Sequence, residues 1–146
     1  MPRKKQKPFI FLLNGGTYDD LTLVSIGATQ EEIQAFAKKN KIDKVYAEWV
    51  STADPNKTTL SGNFVYGNKE RGWTYLQLKE YEDLWWFWEM LMHELSHLVD
   101  QVLISFRRME NETEARAYQL EYYFHTLRKA LQKHYGKTNK AKNRTR

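Results

Sequence analysis

From residue 81 to 105 the chain has no glycine and no proline, and apolar side chains occur almost all round. No other feature narrows the fold as far. A run of that length without breakers reads as a helix, and a helix apolar on nearly every side is normally central to its domain. Glu89, His93, Glu94, His97 and Asp100 interrupt it, which argues against a membrane span. The segment "LWWFWEM" inside it reads as core. Trp85, Trp86 and Trp88 cannot share one direction, so one is expected at the surface, where it would mark a partner interface.

The chain before this helix has a different pattern. "FIFLL" and "LTLVSIG" read as strands joined through the turn residues "NGGTYDD", which predicts a hairpin. "ATQEEIQAFAKKNK" reads as a helix, with Thr29 and Glu32 spaced as a capping box and an apolar stripe of Ile33, Phe36 and Ala37. "KVYAEWV" alternates like a third strand, and "STADPNKTTLSG" is a polar loop. "NFVYG" and "WTYLQL" form a second hairpin, and "WTYLQL" is expected near the functional helix, open to pairing with an extended peptide. "SFRRMEN" ends the long helix, a second one follows over about 112–134, and Gly136 is a plausible stop. The expected fold is α+β, a small, mostly antiparallel sheet packed on the central helix and a second long helix. It forms a single domain over 8–135, between basic disordered tails at 1–7 and 136–146.

The formal net charge of +5 comes from those tails. Residues 1–7 carry four Lys/Arg and residues 137–146 carry five, with no acid in either; the remainder holds 14 basic against 18 acidic residues. Weak contact with nucleic-acid phosphates is therefore an expectation for the tails alone, against simple solvation. Neither tail interleaves aromatics with its charges, so base stacking is not expected. There is no cysteine, which excludes disulfides and thiolate metal sites and suits a reducing, cytoplasmic setting. The apolar run over 9–13 is shorter than a usual signal-peptide core.

The central helix contains "LMHELSHLVD". Residues four apart are neighbours on a helix, so His93 and His97 can reach one ion. A catalytic zinc ion takes three protein ligands of this nitrogen and oxygen type and keeps one position for water. Zinc lowers the pKa of that water towards about 7, and Glu94 can take its proton as general base. The alternative is a core helix with one histidine bonded to a backbone carbonyl and the other at the rim. No further histidine follows at a ligand spacing, so a carboxylate from the next helix is required. Glu110, Glu112 and Glu114 are available, and Glu114, in the first turn before the small Ala115, is preferred. Asn111 and Glu114 are also spaced as a capping box, which would leave Glu114 bonded to a backbone amide instead. Asp100 lies near the histidine face and could orient a ring, or be only a helix-end carboxylate. Tyr118, one turn after Glu114, could donate to an oxyanion or be a packed aromatic. His125 lies far along the helix, and His134 reads as solvated.

"HELSH" with "ETEARAY" resembles the zincin metallopeptidases, in the branch whose third ligand is a glutamate. It is similar to repressor-cleaving peptidases of mobile elements, and closer still to small zincin-like proteins of tailed phages. Specific motifs carry the resemblance over about residues 73–125; over 8–72 it is only an order of elements. It implies Zn2+ held by His93, His97 and Glu114, Glu94 as base, and a protein or peptide substrate inside a bacterial host cell. The basic C-terminal tail departs from that pattern. A zincin-like fold without catalysis, serving as a binding or anti-defence module, is the alternative implied.

Overall fold

The computed structural model describes residues 6–16, 20–42, 44, 47–48, 59–65, 72–106, 108–109 and 111–142. They form an α+β fold of four strands and three long helices. In chain order these are β1 (Phe9–Asn14), β2 (Leu21–Ile26), α1 (Gln30–Lys39), β3 (Thr59–Val65), β4 (Gly72–Leu78), α2 (Trp85–Asp100) and α3 (Thr113–Lys142). A π-helical turn, Gln101–Phe106, extends α2.

The sheet order is β1-β2-β4-β3. Both predicted hairpins form, β1 with β2 and β3 with β4, each antiparallel. The two inner strands β2 and β4 run parallel, Thr22 facing Thr74. A parallel pair needs a long crossover, and residues 27–71 supply it. Every residue of β2 is buried, as expected of a strand covered on both faces. On one face Phe9, Leu13, Val24, Ile26, Leu76 and Leu78 pack against α2 and α3. On the other Leu23 and Tyr75 meet Ile33 and Phe36 of α1.

Three expectations are corrected. The segment read as a third strand is helical at Lys44, Ala47 and Glu48, with Lys44 and Glu48 paired one turn apart; its other residues lie outside those described. β3 begins at Thr59, inside the predicted polar loop. β4 is hydrogen-bonded on both sides, so it has no free edge to offer a peptide.

α1 starts as its sequence predicts. The Thr29 hydroxyl accepts from the Glu32 amide at 3.2 Å, and the Glu32 carboxylate accepts from the Thr29 amide at 2.7 Å. α3 runs to Lys142, through Gly136, so neither the predicted stop nor the domain edge at 135 interrupts the helix. A lone glycine costs a helix about 1 kcal/mol, and no proline follows to enforce an end.

Part of the predicted N-terminal tail is also held. The Gln6 side-chain amide donates to the Tyr81 carbonyl at 2.7 Å, and its oxygen accepts from the Tyr81 amide at 3.1 Å. The Lys7 carbonyl accepts from the Tyr135 hydroxyl at 3.1 Å. His134, read as solvated, packs its ring on Phe9 and Tyr135. Residues 1–5 and 143–146 lie outside those described. Among the described residues no helix is long and apolar enough to cross a membrane.

Candidate metal centre

The sequence of α2 divides the helix into two faces. Phe87, Leu91, Leu95, Leu98 and Val99 are buried in the core shared with the sheet and α3. His93 and His97 are exposed. The helix is thus one-sided rather than apolar all round, and its histidine face is open. Of the three tryptophans, Trp85 takes the surface position at 72 % exposure, while Trp86 and Trp88 pack against the core. Trp88 is fixed from several sides: its indole N–H donates to Asp83 at 3.0 Å, Phe124 meets it edge-on, and the Arg128 guanidinium lies 6.0 Å from its ring centre.

The two Nε2 atoms of His93 and His97 stand 3.1 Å apart, with the rings nearly perpendicular at 84°. Zinc–imidazole bonds of about 2.05 Å at a tetrahedral angle place two ligand nitrogens about 3.3 Å apart. The pair therefore already has the spacing of two ligands on one ion. In neutral rings the same approach is an Nε2–H···Nε2 hydrogen bond that fixes opposite tautomers. Among the described residues neither ring bonds a backbone carbonyl, and both rings are exposed, so a buried core histidine does not describe this helix. Glu94, directly after His93, is half-buried on the flank of the helix.

The remaining candidates are distributed as follows. Glu114 is exposed in the first turn of α3. Among the described residues no capping-box bond joins it to Asn111, and no third His, Cys, Asp or Glu completes a metal-holding set with the histidines. Asp100 accepts from Arg116 at 3.0 Å rather than orienting a histidine. The same guanidinium nitrogen donates to the Ser96 hydroxyl at 3.1 Å. Arg116 is the residue that sequence reading missed. It lies two positions after Glu114 and ties that turn of α3 to the last turns of α2. A basic side chain early in a helix gave no signal of a partner 16 residues earlier. Tyr118 is 69 % exposed and lines a groove with Gly15, Gly16, Glu121, Tyr122 and His125; His93, Glu94 and His97 are not part of that lining.

Beneath the groove lies a buried polar cluster. Thr22 and Thr74 share a hydroxyl hydrogen bond of 2.6 Å, and Asp20 is fully buried. Burial pushes the Tyr123 phenol up to about 12; Gln119 and Thr22 hold back part of the rise, and the Asp20 charge adds to it. The Tyr123 oxygen makes no hydrogen bond of good geometry.

Comparison with protein-family models, with characterised proteins and with solved structures finds no match to this chain.

Proposed function

We propose that the chain is a zinc-dependent metallopeptidase of phage or mobile-element origin, zincin-like in fold, acting on a protein or peptide in the cytoplasm of a bacterial host. One observation carries this reading: two imidazole nitrogens 3.1 Å apart on an exposed helix face, followed at once by a half-buried carboxylate. His93 and His97 would hold the ion, with Glu114 as third ligand from the turn that Arg116 keeps against α2. Bound zinc supplies Lewis acidity and makes a neighbouring water a stronger acid. Glu94 would take a proton from the attacking water as the water oxygen bonds to the peptide carbonyl carbon. It would then deliver that proton to the leaving nitrogen as the C–N bond breaks. Tyr118 has no step here, because it lines the separate groove.

The second reading is a zincin-like binding module without catalysis, for which the small size and the basic tails leave room. One experiment separates the two. Purified protein is assayed for zinc and for cleavage of a peptide library, alongside His97→Ala and Glu94→Gln. The peptidase reading requires about one zinc per chain, lost in His97→Ala. Glu94→Gln must keep the zinc and lose about 100- to 10,000-fold in hydrolysis. A fully active Glu94→Gln protein ends the peptidase reading, and equal zinc in wild type and His97→Ala ends the metal site.

A further inference from the structure

The loop after β1 and the outer face of α3 enclose a groove of about 640 Å³, within the size range of ligand sites. Tyr118 and Tyr122 stand one helical turn apart on it and are 69 % and 41 % exposed. Glu121 lies in the same lining; among the described residues it carries the one full charge there, and no Lys or Arg takes part. His125 completes the helical side.

The opposite wall is backbone, and it is fixed. Gly15 donates to the Asp20 carbonyl at 2.6 Å, and its own carbonyl accepts from the buried Gln119 side chain at 3.0 Å. Gly16 has φ +65° and donates to the Asn14 side chain at 2.8 Å. The Tyr122 ring lies 3.3 Å from where a Cβ at Gly16 would stand, so ring and loop are in close contact.

We propose that this groove binds a basic side chain, lysine or arginine, presented by another polypeptide. Two exposed tyrosine rings and one carboxylate form a set that attracts a cation by ring quadrupole and by charge together. Among the described residues nothing basic in the lining opposes it. The groove has room for more than a single side chain, so flanking backbone fits as well. Because Gly15 and Gly16 are held by hydrogen bonds beforehand, binding need not order them. The inference is independent of the metal reading, since neither His93 nor His97 lines the groove.

The test is a ¹H–¹⁵N titration of the full chain with the pentapeptide amide Ala-Ala-Lys-Ala-Ala and its arginine, norleucine and glutamate counterparts. The lysine and arginine peptides should shift the Gly15, Gly16, Tyr118 and Tyr122 amides saturably. The norleucine and glutamate peptides should not. Glu121→Gln should weaken the lysine peptide about fivefold, and Tyr118→Ala roughly threefold or more. His97→Ala should leave binding unchanged, so this result stands apart from the zinc assay. Equal binding of the norleucine peptide, no saturable shift with either basic peptide, an unaffected Glu121→Gln, or loss of binding in His97→Ala would each overturn the proposal.

Discussion

Replacing Gly15 and Gly16 by alanine, one at a time, tests how firmly the β1 loop is seated, and the expected ranking is not the obvious one. Gly16 has the left-handed backbone at φ +65°, which costs an L-residue roughly 1–2 kcal/mol. Its new Cβ would lie 3.3 Å from two carbons of the Tyr122 ring, and that ring is 41 % exposed and free to tilt outward. Gly15 has no such φ, yet its Cβ would stand 3.0 Å from both the amide nitrogen and the carbonyl oxygen of Asp20. Those are backbone atoms of a buried residue, and Asp20 cannot step aside without breaking the 2.6 Å bond that closes the loop. Overpacking of that kind costs about 2–3 kcal/mol. At about 2–4 °C per kcal/mol for a chain of this size, Gly15→Ala should lower Tm by roughly 4–12 °C and Gly16→Ala by roughly 2–8 °C. Thermal melts by circular dichroism at one scan rate measure both. A second comparison isolates the ring: in a Tyr122→Ala background the cost of Gly16→Ala should fall only by its steric part, leaving the backbone part. Gly16→Ala more damaging than Gly15→Ala, or either variant melting with wild type, would refute this account of the loop.

Arg116→Met should cost about 0.5–1 kcal/mol, because the pair with Asp100 is half-exposed, and the loss should shrink in high salt. If Arg116 steadies the turn that carries Glu114, the same variant should also weaken zinc uptake while leaving the circular dichroism spectrum intact. Tyr81, Tyr123 and Tyr135 are each raised from 10.0 to about 12, in every case chiefly by burial. The unfolded chain ionises these phenols first, so the stability they contribute is complete below pH 10 and is lost as pH climbs to about 12. Urea midpoints should therefore fall steeply across that window, and Tyr123→Phe should remove about 2–3 kcal/mol of the fall. A midpoint independent of pH between 10 and 12 would contradict the burial of these rings.

Local rules were legible where the partners are close in sequence. The Thr29–Glu32 capping box needed no tertiary information, and the β1–β2 hairpin followed from alternation and turn residues. The histidine pair was legible for the same reason, since four residues on a helix fix its geometry. Lys44, Ala47 and Glu48 misled because a short alternating pattern does not exclude a helix. The signal for helix was Lys44 and Glu48 at i, i+4, with opposite charges. Gly136 misled because one glycine is a small cost against a long helix. The features that could not be read all depend on distant partners. Gln119 reaches Gly15 across 104 positions, Arg116 reaches back to Asp100, and β2 finds β4 rather than a sequential neighbour. Whether Glu114 serves the histidines is of this distant type as well, which is why the sequence motif and the described geometry address different halves of the site.

The parallel pairing of β2 with β4 sets the order in which the chain can fold. Thr22 and Thr74 meet across 52 positions, and closing a flexible loop of that length costs about 3.5 kcal/mol before any contact repays it. The β1–β2 hairpin can form early, but it then presents the whole inner edge of β2 as unpaired amides and carbonyls. During synthesis that edge stays open until residue 78 has left the ribosome, a wait of several seconds at about 5–20 residues per second. A strand buried along its whole length in the finished protein thus keeps one edge open in the nascent one. Hydrogen exchange during refolding should find the β2 amides that face β1 protected early, and those that face β4 protected late, together with the amides of β4.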